Sequence, residues 1–324
     1  MKRKNLWFLF VPLLALAMML VWRQTAVRAD AALVAQPPLD ETLLEMAQNN
    51  GMVPVIVGLQ VADYAPQGAD EAAQMDAINR AQTAVLNSLA GYNIQNIKQF
   101  PYIPYMALWV DEAALRALYE VNGVTAVTED QVSAPHTSSS SLIIRSDSAN
   151  SLGYRGQGQT VAVLDTGVQR LHPDLSGKVV SEACYSTTSA GSGSLSLCPN
   201  GGSSQTGSGA ANPPPNFVSG YDHGTHVAGI VAGVAPQASI IAIQVFSRYA
   251  DVAGAPPSSL TPCANSGRPS PCTFSYSSDQ ILGLQRVYAL RNSYNIAAVN
   301  MSLGGGSYTS NCDNLNAALT TTIL

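Results

Sequence analysis

The chain has 324 residues, 46% of them hydrophobic and only 11% charged, with a formal net charge of −5. That is enough apolar material for one good core and a smaller second one, so two domains are expected. No cluster of Lys or Arg follows the first 30 residues, which argues against nucleic acid as a partner, and after Trp22 no apolar run is long enough to cross a bilayer.

The N-terminus reads as an export signal. Lys2, Arg3 and Lys4 precede an unbroken apolar run from Leu6 to Trp22, and the small-residue stretch "AVRADAA" fits cleavage after Ala29. The run is short for a membrane span, and an uncleaved anchor is the alternative reading. Residues 1–29 are thus taken as signal peptide and 30–52 as linker, giving a secreted protein with no stable membrane association once the signal is removed. Export also accounts for the cysteines, all five of which lie beyond residue 180. The spacings from Cys184 to Cys198 and from Cys263 to Cys272 suggest two local disulfides across Ser/Pro/Gly-rich loops. The sequence does not fix the pairing, and Cys312 is left over.

Charge divides the chain. Residues 30–139 hold 13 Asp and Glu against three basic residues (Arg80, Lys98 and Arg116), while from 140 onward eight acidic residues balance eight basic ones. The acidity reads as solvated surface. Within that segment "VPVIVGLQV" (53–61) predicts a strand, "DEAAQMDAINRAQTAVLNSLA" (70–90) a helix, and "IKQFPYIPYMALWV" (97–110) a strand bent by its prolines. "DEAALRALYEV" (111–121) predicts a short helix and "VTAVTED" (124–130) a last strand. The order β, α, β, α, β fits a small α+β, ferredoxin-like sandwich over 53–135. The Ser/Pro/His stretch "SAPHTSSSSL" (133–142) ends it, with 136–152 as linker and lead-in to a second unit over 153–324.

The second unit opens on "TVAVLD", an apolar run closed by a carboxylate, as in a parallel strand covered on both faces. Functional groups collect at the carboxyl ends of such strands, which marks Asp165, and Gly167 lets the chain turn away. One Asp-Thr-Gly alone does not make an aspartic protease, which needs two. In "HGTHVAGIVAG" small residues recur along a predicted helix, with His223 and His226 three apart. A zinc site would need a third ligand, yet there is no HExxH and Glu182 is the sole glutamate after residue 129. The other use of such a pair of elements is proton transfer. A carboxylate that holds the Nδ1 proton of an imidazole orients it to deprotonate a hydroxyl. His223 is then the base, Asp165 its orienter, and His226 a packed residue behind it.

A third segment, "IAAVNMSLGGGSY" (296–308), predicts another buried strand ending in glycines, suited to pairing with an extended peptide. Taken together, "VAVLDTGVQRLHPDL", "HGTHVAGIVAGVAP" and "NMSLGG" resemble the motifs of the subtilisin-like serine proteases, in that family's order of Asp before His before Ser. The resemblance runs from about Gly153 to Leu324. It implies a doubly wound parallel sheet, Asp165 and His223 as two triad members, and Ser302, Leu303 and Gly304 as a strand whose backbone binds the substrate polypeptide. More weakly, the acidic unit over 53–135 resembles the family's propeptide, which assists folding and inhibits the enzyme in cis.

The chain also departs from the family's pattern. Two inserts, one holding Cys184 and Cys198 and the other spanning about 250–275, read as surface loops. Asp174, in "HPDL", matches a calcium-binding position of some members, but the loop that would supply the other oxygens is absent from "GIVAGVAP". Asp174 is read as a turn or capping residue, no cofactor is required for catalysis, and calcium elsewhere is left open. The Gly-Thr-Ser segment of the nucleophile and the Asn that serves the oxyanion are not found, and Ser302 is not the nucleophile. Because "CDNLNAALTTTIL" starts an amphipathic helix without a cap, the expectation is a longer protease that continues beyond Leu324. The alternative is a non-catalytic product whose propeptide-like unit inhibits a protease or assists folding.

Overall fold

Aspartate side chains start the helices of the acidic N-terminal segment. The computed structural model describes residues 36–62, 64–65, 70–135, 146–255, 260–305 and 316–323, all within one compact unit. Asp40 accepts hydrogen bonds from the Thr42 and Leu43 N–H groups at the head of α1 (Glu41–Asn50). Asp70 accepts from Ala73 at α2 (Glu71–Ser88), and Asp111 from Ala114 at α3 (Glu112–Glu120). Each supplies an acceptor to N–H groups the helix cannot satisfy itself, a cap worth about 1 kcal/mol. Part of the acidity read as solvated surface therefore serves to start helices.

Four strands run between them, β1 (Val53–Leu59), β2 (Ile94–Gln99), β3 (Tyr105–Val110) and β4 (Val124–Glu129), paired antiparallel in the order β2-β3-β1-β4. Two expectations change here. Segment 30–52, read as linker, contains α1, whose Leu43, Leu44 and Ala47 share one core with Val55, Val57, Met106 and Leu118. Those three positions form a helical stripe that has to be covered. The single strand read over 97–110 is instead a hairpin: β2 pairs with β3, and Pro101 and Pro104 fall in the connection, where a missing N–H breaks no ladder. Successive strand residues face opposite ways. Val55, Val57, Met106 and Leu108 therefore look toward α1 to α3, whereas Ile56 and Ala107, opposite each other in register, pack with Phe100 and Ile103 against Ile281 and Ala318 of the second half.

The second half is built on β6 (Thr160–Asp165), β7 (Val179–Tyr185), β10 (Ser239–Gln244) and β13 (Ile296–Asn300), parallel in the order β13-β6-β10-β7, with β9 (Ser204–Thr206) antiparallel at one edge. Its helices are α4 (Ser146–Ser151), α5 (His223–Val234), α6 (Pro262–Asn265), α7 (Ser277–Leu290) and α8 (Ala317–Ile323). Val163, Ile240 and Ala242 pack under Val227 and Ala228 of α5, while Ala162, Leu164 and Ile241 pack under Leu284 and Val287 of α7. Helices on both faces make this the doubly wound α/β sheet that the family resemblance implies, with β6 covered on both faces as its apolar run predicts. The expectation of a buried strand at 296–300 is corrected: β13 lies at the edge among the described residues, and Ala297, Ala298 and Val299 are exposed.

A third sheet is antiparallel throughout, in the order β14 (Leu303–Gly304), β5 (Val132–Pro135), β12 (Cys272–Tyr276), β11 (Ser247–Tyr249), β8 (Ser194–Ser196). The inserts read as surface loops thus supply β8 and most of β12. Both disulfides are present, Cys184–Cys198 and Cys263–Cys272, with all four residues buried. Cys312 and the signal segment lie outside the described residues, as does the linker over 136–145; residues 146–151 of the segment read as linker form α4. Among the described residues no helix is long and apolar enough to cross a membrane.

Candidate active site

Asp165 ends β6 and is fully buried. The chain leaves it through Gly167, at φ +108°, where a Cβ would fall 2.7 Å from the Asn212 carbonyl oxygen and 2.8 Å from that of Ala211. Only glycine meets both the dihedral and the space. α5 then begins on His223, 7% exposed, whose Nδ1 stands 2.7 Å from Asp165 Oδ1. The same oxygen accepts the Thr166 N–H at 2.7 Å, while Asp165 Oδ2 is buried with no hydrogen-bond partner among the described residues. With Nδ1 carrying the proton toward the carboxylate, Nε2 is left as the basic nitrogen, and the buried negative charge stabilises the imidazolium once that nitrogen has taken a proton.

Two further residues hold this pair in place. Asp222 makes no side-chain cap on α5; Thr166 Oγ1 takes over that role and accepts the Gly224 N–H at 2.9 Å. Gly224 touches the strand end so closely that a Cβ there would lie 2.3 Å from the Gly167 carbonyl oxygen. The part of Thr166 was missed in the sequence, where its position between Asp165 and the turning glycine was the available signal.

Of the other predicted residues, His226 is corrected. It is exposed rather than packed, and it lines a surface groove with His172, Asp174, Tyr221 and Thr225. α5 meets the sheet through Gly224, Val227 and Ala228, which turns position 226 outward. Asp174 sits exposed in the 3₁₀ turn Pro173–Leu175, and the cap there is His172 Nδ1, which accepts the Asp174 N–H at 3.3 Å. Among the described residues no three His, Cys, Asp or Glu side chains converge as a metal site requires.

Leu303 and Gly304 form β14, while Ser302 stands just before it with its hydroxyl accepting from Asn300 Nδ2 at 2.9 Å. β14 is paired: Leu303 lies opposite Pro135 and Gly304 opposite Ala134, and on the other side Ser133 and Val132 lie opposite Ser275 and Tyr276. The last strand of the N-terminal unit therefore fills a slot between two strands of the second. The sequence pointed to one wall, 302–304; the other, β12, carried no motif. Beside β5 is a cavity of about 570 Å³ lined by Glu129, Val132, Met301, Leu303 and Leu319. Burial raises the Glu129 carboxyl above its ordinary range.

A buried Asp–His pair at the end of a central parallel strand, inside a doubly wound α/β domain, has the geometry to take a proton from a hydroxyl. Residues 156–323 match the Subtilase family, Peptidase_S8, and the chain belongs to that family. It is 32% identical over 183 residues to subtilisin E of Bacillus subtilis, covering 53% of this chain and 41% of the relative. It is 37% identical over 100 residues to thermitase of Thermoactinomyces vulgaris, covering 28% of this chain and 27% of the relative. Among solved structures it is similar to fervidolysin from Fervidobacterium pennivorans, with TM-score 0.41 and 19% identity, over 84% of this chain and 38% of that one. The chain thus spans about two fifths of the length of the subtilisins it matches.

Proposed function

We propose that the protein is a secreted serine endopeptidase made as a precursor, in which the signal segment directs export and the 53–135 unit, extended by α1, is an intramolecular inhibitor. The observation that carries the reading is the buried 2.7 Å contact between His223 and Asp165 at the strand end. In this mechanism a substrate polypeptide lies extended on the backbone of β14 and β12, where β5 now lies. His223 Nε2 takes the proton of a serine hydroxyl as it attacks the scissile carbonyl, Asp165 stabilises the imidazolium, and the proton then passes to the departing amine. Water hydrolyses the acyl-enzyme by the same route in reverse. The attacking serine belongs to a Gly-Thr-Ser segment that these 324 residues do not contain. No cofactor enters these steps, and the exposed Asp174 carboxylate, which lies 3.7 Å from His172 Nδ1, is not assigned a calcium ion.

The seating of β5 between β12 and β14 also supports a second reading, a non-catalytic protein whose N-terminal unit inhibits a protease by presenting the same strand. Reading the frame past codon 324 separates the two. A Gly-Thr-Ser segment downstream, with peptide hydrolysis by the full gene product that vanishes in His223→Ala, is the expected result. An immediate stop overturns the endopeptidase reading, and hydrolysis that survives His223→Ala overturns the role of the histidine.

A further inference from the structure

Three segments far apart in the sequence close around one ammonium group. Lys98 of β2 donates all three of its N–H bonds: to Thr187 Oγ1 at 2.7 Å, Ser278 Oγ at 2.7 Å and Asp279 Oδ1 at 2.8 Å. The Tyr276 ring centroid lies 5.7 Å from the same nitrogen. Asp279 is fully buried, and its second oxygen accepts the Thr187 hydroxyl at 2.9 Å. Ser278 in turn donates its hydroxyl and its N–H to Asp130, which is 4% exposed. The cation thus comes from the N-terminal unit, and the carboxylate and hydroxyls that receive it come from the head of α7 and from Thr187.

Thr187 belongs to the segment bridged by Cys184–Cys198. It is held from behind, its N–H donating to Ser247 Oγ of β11 at 2.8 Å, while its neighbour Ser186 donates to the Phe246 carbonyl at 2.8 Å. The same segment meets the N-terminal unit twice more. Asn96 Nδ2 donates to the Thr188 carbonyl at 3.2 Å, and Gly191 passes Trp109 and the Asn50 carbonyl closely enough that an added Cβ would contact both. Nothing in this arrangement serves the Asp165–His223 pair. It is a largely buried receptor for a primary ammonium group, and a buried carboxylate left without its cation is costly.

We propose that the head of α7 together with Thr187 of the cysteine-bridged insert is the receptor by which the second unit selects its own N-terminal unit, and that the residue it reads is Lys98. The selection rests on the reading of that unit as an intramolecular inhibitor, whereas the contact itself can be tested without any catalytic assay. A partner strand that seats in the slot but lacks a lysine at this place would leave Asp279 buried against nothing positive and would dock less stably.

The test is a double-mutant cycle in the full 324-residue chain, using Lys98→Met, Asp279→Asn and the pair together, read by amide hydrogen exchange. Lys98→Met keeps the apolar stem and removes the charge. Each single variant is expected to speed exchange at least tenfold in β5, β12 and the 186–192 segment, while β1 and α2 keep wild-type protection. The double variant is expected to be no faster than the faster single, since both remove one contact. Thr187→Val, near-isosteric, removes the hydroxyl alone and is expected to speed the same amides by a smaller factor. If Lys98→Met and Thr187→Val both leave those amides within twofold of wild type, or if the two charge substitutions multiply independently, the proposal is wrong. Neither result bears on peptide hydrolysis, so failure here is distinct from failure of the endopeptidase reading.

Discussion

Replacing Gly224 by Ala drives a methyl group into the strand end that carries Asp165. The added Cβ would lie 2.3 Å from the Gly167 carbonyl oxygen and 3.0 Å from Asp165 Cβ. A carbon and a carbonyl oxygen ordinarily approach no closer than about 3.3 Å, so the head of α5 has to retreat by roughly 1 Å. The obstruction is backbone fixed in a sheet and cannot rotate away, which puts the overpacking cost near the upper end, about 3 kcal/mol. The retreat also gives up the bond from the Gly224 N–H to Thr166, about 1 kcal/mol. Alanine returns about 1 kcal/mol through its better helix propensity, leaving a net loss of roughly 3 kcal/mol. Gly229 on the same helix is the internal control, because nothing lies within 4 Å of a Cβ there. Gly229→Ala is expected to gain about 0.5–1 kcal/mol from propensity alone. Urea denaturation followed by far-ultraviolet circular dichroism reads both variants. A Gly224→Ala chain that unfolds at or above the wild-type midpoint, or a Gly229→Ala chain that loses as much as Gly224→Ala, would refute the argument from close approach.

In the full gene product, Asp165→Asn keeps the shape of the pair and removes its charge; kcat for peptide hydrolysis is expected to fall about 10⁴-fold, with KM little changed. Asp130 gives a pH signature. Its carboxyl is raised from 3.8 to about 6, first by burial and against the pull of Lys98 and Ser278. Since the folded value lies above the unfolded one, its contribution is fully present below pH 3.8 and is lost as pH rises through about 6. That difference is on the order of 3 kcal/mol, so the urea midpoint of wild type should decline from pH 4 to pH 6 and then level, while Asp130→Asn flattens the slope. Replacing Cys263 and Cys272 together by Ser opens a loop with sequence separation 9. The expected loss is about 2–3 kcal/mol, with faster amide exchange in β12; unchanged exchange there would show that the strand holds its place without the bridge.

The contact between Asp165 and His223 was legible in the sequence because its signals are local. An apolar run closed by Asp165 gives a buried parallel strand, and a histidine opening a run of small residues gives a helix that can lie close to it. The hairpin over β2 and β3 was blurred because Ile97 to Val110 is apolar almost throughout, so the two strands ran together until pairing separated them. α1 was lost to its neighbours: its Leu43, Leu44 and Ala47 make a short stripe between a presumed cleavage site and a strand, too brief to stand out as a period. β8 and β11 are three residues each and gain their structure from pairing with each other rather than from composition. Lys98 and Asp279 stand 181 positions apart, and no pattern in either neighbourhood announces the other. His226 shows the opposite error, in which spacing along a helix was read as a shared environment although only one of the two positions faces the sheet.

The slot that holds β5 has a direction. Its two walls, β14 and β12, each run antiparallel to the strand between them and so parallel to each other, about two strand spacings or roughly 9.5 Å apart. They cannot close the gap by pairing directly, and a helix, about 10 Å wide before it reaches any partner, is too thick to enter. Whatever replaces β5 must be unfolded over at least four residues and must enter with one polarity. On the endopeptidase reading proposed above, a polypeptide would be sorted by its N-to-C orientation before any side chain is compared, and a tightly folded protein would be spared until a segment of it comes loose.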